Sequence, residues 1–467
     1  MKKKIYDILV VGTGLSSLSF VDGYLEKNKM INIISFNKTK KKFSQLNNNH
    51  ILKILPPQMI GEDKQVKDYF SLNKIIVKNN SKFFGSLEFG GLSNYWGLQI
   101  DKNINSDISQ LSKKTQIKIK KSFIEILNKQ KLLGKVDNIY ENSFIKDKYI
   151  DKKFFNTQGE LISDEPLLAF QKKKTKKGIN LNSINENKDK LTPQNFYKRQ
   201  LKNKKIIFHN YFVEKIKDCK EGLRIFCSNG VTKKIFITKK LVLGCGTLIT
   251  TKLMMDYLNI KREVKIFHHP RLFSVYFSRK KWKNNMAFQP SHFHLKLKKN
   301  PSLFTADFRP GNAVIIDAII KFKKYLGPLK FILNIIKEHF IFSNIFFNPT
   351  FSNLYLKKKN GVYFVYSKNK NIKSLLKNTS KRIYKFLIST KKILPIYMNY
   401  FPGFGADFHY FGTICFGKSN DLSVNEKCQI NKKKNIYIID GSVFKFNKNK
   451  YPLGLIMANS RRVGKEV

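Results

Sequence analysis

Ile5 to Val11 (IYDILVV) is a nearly unbroken apolar run of the length of a buried parallel strand. It passes through Gly12-Thr13-Gly14-Leu15-Ser16-Ser17 into a helix-like segment, Leu18 to Leu25. Ile31 to Ile34 predicts a second strand, ending in Ser35-Phe36-Asn37. Strand-like Ile206 to Phe208 opens a later block. Phe212 and Val213 follow, then a Cys219-to-Ile237 meander with a turn at Ser228-Asn229-Gly230, then LVLGCGTLITTKLM, a strand entering a helix through Gly244 and Gly246. Near the end, the strand Ile436 to Ile439 reaches Asp440-Gly441-Ser442, and Pro452 opens an apolar helix. Between these blocks Leu111 to Leu133 reads as an amphipathic helix and Gln171 to Lys190 as a Lys/Asn-rich loop. Phe273 to Phe277 and Val362 to Tyr366 cluster β-formers, as expected of a sheet roofing an active site. Phe331 to Phe347 (FILNIIKEHFIFSNIFF) reads first as a buried or lid helix and second as an interfacial membrane contact, since Lys337, Glu338 and His339 interrupt it. No internal repeat is evident.

The amino-terminal strand-turn-helix has a specific chemical reading beside the ordinary structural one. Gly12 suits the tight turn, Gly14 lets backbone amides approach a pyrophosphate, and the small Ser17 lets helix and strand pack closely where the strict pattern has a third glycine. A carboxylate for the adenosine ribose is expected about twenty residues on. Ser35 and Asn37 stand there instead, each able to hydrogen-bond a hydroxyl. Lys2 to Lys4 before an apolar stretch invite a signal-peptide reading, against which Asp7 and the lack of a small-residue cleavage site both argue.

Three further motifs follow in order. Gly90-Gly91-Leu92-Ser93-Asn94-Tyr95-Trp96-Gly97 is a glycine-rich stretch ending in a tryptophan. The Gly244/Gly246 block comes next, and the chain closes with HYFGT, YIIDGSVF and YPLGLIMANSRRVG. Together with the first turn, this order resembles the glucose-methanol-choline (GMC) oxidoreductases, which bind FAD. The resemblance implies that Gly90, Gly91, Ser93, Asn94 and Trp96 lie along the flavin and that Val213 falls on the adenine side. It also implies that Gly246 returns the chain to the cofactor and that Asp440 and Gly441 sit against the ribityl and pyrophosphate. Pro452 at the first helical position would leave the amides of Leu453 and Gly454 toward flavin N1 and O2. His409 takes the family's general-base position. The second catalytic position, His or Asn in the family, falls on Tyr451, with Asn449 two residues earlier as the alternative. No histidine lies between Ser81 and Gly97, so a covalent link there is excluded and dissociable FAD is expected.

The implied fold is α/β: a Rossmann-like FAD-binding domain from residues 1–105, 200–275 and 400–467, interleaved with an α+β substrate domain on a mostly antiparallel sheet from 106–199 and 276–399. At 467 residues the chain suits two domains. The expected activity is oxidation of an alcohol or sugar hydroxyl by hydride transfer to flavin N5, with His409 as base. The alternatives are a flavoprotein without that chemistry and a basic nucleic-acid-binding protein. The substrate has no readable signature, and the electron acceptor is left open among oxygen, quinone and a protein.

Charge changes this picture little. The formal net charge is +57, from 89 Lys and Arg against 32 Asp and Glu. The lysines are spread over nearly every segment, alongside abundant Asn, Ile and Phe, which favours compositional drift over a nucleic-acid footprint; such a field can still steer acidic substrates. Five cysteines without a CxxC pair or disulfide spacing fit a reducing cytoplasm. His268-His269-Pro270 and Ser291-His292-Phe293-His294 suggest a metal, but His292 and His294 on one strand face supply no third ligand, and no metal is expected.

Overall fold

The computed structural model describes residues 4–36, 64–78, 81–101, 104–130, 132–133, 136–137, 161–164, 167–171, 179–180, 189–279, 281, 291, 293–297, 303–311, 316–317, 320, 324–368, 370–389, 391, 393–417, 421–446 and 451–467. The chain is mixed α/β, with several sheets and helices. Its largest sheet has eight strands and is built on the apolar runs seen in the sequence. Ile5–Val11 lies parallel to Met30–Ile34 on one side and to Lys233–Leu243 on the other, and Lys205–His209 extends the row beyond Met30–Ile34. Lys233–Leu243 is long enough for two tasks. Its first half pairs antiparallel with Gly222–Ser228, and its last residues pair parallel with Lys433–Ile438. Leu9, Val10, Ile33, Leu241, Val242 and Ile438 are wholly buried, as strands covered on both faces require.

Two helices close tightly over this sheet. Leu15–Tyr24 and Leu453–Glu466 approach through glycines: a Cβ at Gly464 would lie 2.9 Å from the Tyr24 amide nitrogen. At the crossing the fully buried Arg461 pairs with Asp22 and Glu26 and reaches Glu125 at 3.1 Å. Glu125 comes from Lys113–Lys129, the amphipathic helix expected from Leu111 to Leu133; Ser112 caps it by accepting from the Thr115 amide, and Leu132–Leu133 belongs to a short strand.

A second sheet of six strands is antiparallel throughout, in the order Ile393–Tyr400, Arg271–Ser278, Phe340–Phe347, Phe304–Pro310, Phe293–Leu297, Leu161–Asp164. One face buries Leu272, Tyr276, Ala306, Phe308, Ile341 and Ile345 with Ile383 and Phe386 of the helix Lys373–Ser389. Several expectations are corrected here. Phe331 to Phe347 is not one helix: Lys330–Ile335 is a short helix, but Phe340–Phe347 is a buried central strand. Eight consecutive buried positions, six of them apolar, erase the period that separates strand from helix. Val362–Tyr366 joins a separate four-stranded sheet with Tyr363 and Val365 in the main core, not the sheet of Arg271–Ser278. Pro452 sits just before the first residue of the last helix rather than within it. Of Gln171 to Lys190, residues 172–178 and 181–188 lie outside the described residues. Among the described residues no helix is long and apolar enough to cross a membrane.

Candidate functional site

The carboxyl ends of the parallel strands open onto a cleft with about 1020 Å³ of atom-free space, its solvent-facing mouth included. Its wall brings together Gly12 and Gly14, Ser35 and Phe36, residues between Gly85 and Ser93, Tyr211 to Val213, and Gly244 to Ile249. Four of the motifs picked out along the chain, far apart in sequence, meet on it.

The turns interlock through backbone. Gly12 has φ +108°, its amide donates to Ile34 at 2.9 Å, and a Cβ there would lie 2.8 Å from the carbonyl carbon of Gly244. Only glycine fits such an approach. The Ser17 hydroxyl donates to the Gly244 carbonyl at 3.0 Å, so Ser17 clasps the two turns from behind rather than lining the cleft. Gly14 and Gly246 precede the helices Leu15–Tyr24 and Thr247–Tyr257 without any side-chain cap of their own. Ser93 covers part of the first helix end, accepting from the Leu15 amide at 3.2 Å. Thr13 Oγ1 accepts from Gly90 at 3.1 Å and shares a hydrogen bond with Ser35 Oγ at 3.0 Å. Both helix ends thus present amides and the positive end of a dipole to the cleft. Phe36 meets Phe212 edge-on at 5.5 Å, adding an aromatic wall beside Tyr211 and Val213. Asn37 lies outside the described residues.

Other predicted residues stand behind this wall. The Asn94 Nδ2 donates to the Phe89 carbonyl at 2.8 Å, while among the described residues its buried Oδ1 has no partner. Trp96 Nε1 donates to Leu191 at 3.0 Å. Asp440 accepts from the Ser442 amide and hydroxyl and from the Thr250 hydroxyl, tying the last strand to the second helix. Burial raises its pKa despite those donors. Gly441 packs under the Tyr410 carbonyl, which also accepts from Thr247 Oγ1 at 2.6 Å. Of the closing motifs only Tyr410 reaches the wall, its ring stacked on Phe83 at 3.7 Å. A Cβ at Gly454 would press on Ile100 and Phe123, placing the start of the last helix, with Pro452 and Leu453, against packed side chains.

His409 belongs to a polar cluster where the antiparallel sheet meets this region. Phe408, just before it, has φ +66°, a strained conformation for a phenylalanine. The strain is held by Asp407, wholly buried, which bonds His268 Nδ1 at 2.8 Å and accepts from the His269 amide at 2.8 Å. Burial raises the Asp407 pKa, but His268 above all outweighs it and the net displacement is downward. His269 Nδ1 stands 3.1 Å from His409 Nδ1. Burial, with Arg271 and His268 adding to it against Asp407 and Asp307, pulls the His409 pKa down to about 4. The imidazole is therefore neutral at neutral pH. Among the described residues His409 hydrogen-bonds through Nδ1 alone.

Tyr451 lies across from it, ring centroids 6.2 Å apart and perpendicular, with Phe346 at 5.1 Å from His409 and 6.2 Å from Tyr451. The Tyr451 hydroxyl is 3.1 Å from His294 Nε2. Asn449 and His292 lie outside the described residues. His269, Asp407 and His409 have donor atoms within 4.8 Å of one another, but both Asp407 oxygens already accept hydrogen bonds, and the arrangement is a hydrogen-bond network. A scan against protein-family models and a search of curated proteins find no match for this chain.

Sequence reasoning passed over His269 and His294 as bland. Their one signal was the alternation around His294, which places it opposite Asp307 in the sheet. Asp307 in turn accepts from Gln99 Nε2 at 3.1 Å and from Asn344, linking the antiparallel sheet to the segment just after Trp96.

Proposed function

We propose that the chain is an FAD-dependent oxidoreductase of GMC type that oxidises an alcohol or sugar hydroxyl, with a Rossmann-like domain holding the dinucleotide. The observation that carries this reading is the adjacency of two arrangements. One is a glycine-walled cleft with two helix N-termini, its wall including Tyr410; the other is a neutral imidazole at the preceding residue, His409, beside Tyr451. The residues fit the cofactor. At Gly246, φ +87°, a Cβ would meet nothing within 4 Å, and at Gly91 nothing nearer than 3.8 Å, so both leave room for close ligand approach. The amides following Gly14 and Gly246 suit a pyrophosphate, Ser35 a ribose hydroxyl, and Phe36, Tyr211 and Phe212 an adenine face.

Bound FAD would supply the hydride acceptor. The chain's own part is proton management. With the shared hydrogen on His409 Nδ1 donated to His269, His409 Nε2 presents a lone pair that takes the hydroxyl proton. Asp407 fixes the backbone of His269 and so the direction of both rings. Tyr451, held by His294, orients the substrate oxygen, a phenol being a poor base. The electron acceptor is oxygen, a quinone or a protein. The purified protein is expected to be yellow and to release FAD on denaturation. A colourless protein that cannot be reconstituted with FAD refutes the proposal.

A further inference from the structure

Arg271 opens the strand Arg271–Ser278 directly opposite Phe346, the ring that touches His409. Residues opposite one another in an antiparallel pair share a face, as do residues two apart on one strand. Arg271, Phe273 and Phe346 therefore lie on the face turned toward His409 and Tyr451, away from the aliphatic core behind the sheet. The guanidinium carbon stands 4.2 Å from the Phe273 ring centroid, 5.8 Å from Phe408 and 6.0 Å from Phe346. Arg271 is only 7% exposed. Among the described residues its Nε and Nη2 find no hydrogen-bond partner.

The carboxylates whose charge reaches it are already engaged. Asp407 is bonded to His268 and His269, and Asp307 to Arg309, Gln99 and Asn344. Burial pulls the Arg271 pKa down to about 10, so the side chain is a cation at neutral pH. A cation stripped of water with unpaired N–H groups is a costly feature for a fold to keep. Its stacked, planar fork matches the two oxygens of a carboxylate.

We propose that Arg271 is an oxyanion subsite and that the hydroxyl donor is an acidic alcohol, one end held by Arg271 and the hydroxyl at His409. The alcohol half of this statement rests on the function proposed above; the anion half does not. The formal charge of +57 favours the same substrates, since a basic field concentrates anions around the protein.

The test titrates purified protein with sodium acetate, sulfate and phosphate separately at constant ionic strength, following Tm and binding heat, in the parent, Arg271→Met and Arg271→Lys. The parent should show a saturable rise in Tm with at least one anion, strongest for acetate if a carboxylate is the natural group. Arg271→Met should bind that anion at least about tenfold more weakly, as expected for losing a charge-assisted hydrogen bond. Without added anion it should melt no lower than the parent, because methionine keeps the packing and removes an unpaired charge. Arg271→Lys should retain part of the binding. A parent Tm indifferent to all three anions, or an equal saturable response in Arg271→Met, overturns the subsite. A colourless protein with Arg271-dependent anion binding keeps the subsite and discards the oxidoreductase reading. A yellow protein without such binding does the reverse.

Discussion

Gly246→Ala separates a cofactor cradle from an ordinary helix-entry turn. Gly246 has φ +87° and ψ 151°, a region that only glycine adopts readily, so alanine costs roughly 1–3 kcal/mol of backbone strain. The added methyl meets no atom of the described residues within 4 Å, so no clash with them increases that figure. Unfolding entropy of roughly 2.1 cal/mol/K per residue gives about 1 kcal/mol/K for 467 residues, and the apo-protein should melt only about 1–3 °C lower. The methyl does enter the space where the dinucleotide backbone would approach. An overpacking cost of roughly 1–3 kcal/mol there corresponds to a loss in FAD affinity of about 5- to 150-fold. Gly12→Ala is the contrasting case, since its methyl would strike the Gly244 carbonyl and both turns would have to move. It should lose soluble, folded protein outright. The assay is FAD titration of apo-protein by flavin fluorescence, beside thermal melts of the same samples. Gly246→Ala binding FAD as tightly as the parent would show that the second helix end does not face the cofactor.

His409→Ala should keep its FAD content while flavin reduction by a cognate alcohol falls by about a hundredfold or more, checked by stopped-flow absorbance. The depressed pKa of His409, about 4, sets the acid limb: reduction should be flat from near neutrality down to about pH 5 and fall as the pH drops through 4. Stability has the same sign, because the unfolded histidine binds its proton near 6.5, so the contribution is whole above that value and is lost as pH falls toward the folded pKa. A rate that halves near pH 6.5 contradicts the burial argument. Tyr451→Phe removes one hydrogen bond to His294 and leaves the base, so its rate loss should be the smaller of the two. Arg461→Met leaves Asp22 buried beside Glu26 with Lys129, 3.6 Å away, as its remaining cation, and denaturant melts should show a loss of about 3 kcal/mol that shrinks at low pH, where Asp22 can protonate.

Legibility followed the range of the interaction. The strand-glycine-helix turns could be read because φ, apolar period and helix entry are local properties, and Gly12, Gly14 and Gly246 stand at such turns. The role of Ser17 was only half visible. The small residue was expected to ease packing, but the close contact is with Gly244, 227 positions away, which supplies the missing Cβ space itself. His269 and His294 could not be placed at all, since their partners His409 and Tyr451 are 140 and 157 residues distant and meet them only through side-chain contacts in the folded chain. Phe340–Phe347 failed for another reason, as a strand buried on both faces carries no alternation to distinguish it from a buried helix.

The same register explains why the polar groups gather where they do. One face of the antiparallel sheet is aliphatic and aromatic core, and every direct neighbour of its other face repeats with a period of two. Arg271, Phe346 and Thr305 form one row across three strands, and Phe273, Asn344, Asp307 and His294 the next. These rows hold their polar residues buried, so each demands a partner. Asp307 draws Gln99 to the sheet and His294 draws Tyr451, while the strained loop at Phe408 is pinned by Asp407 to His268 and His269. Placement of His409 is thus a consequence of satisfied buried polar groups rather than of its own packing. Arg271 is the member of the first row whose hydrogen-bonding capacity the described residues leave unmet, and that imbalance points to an anionic ligand.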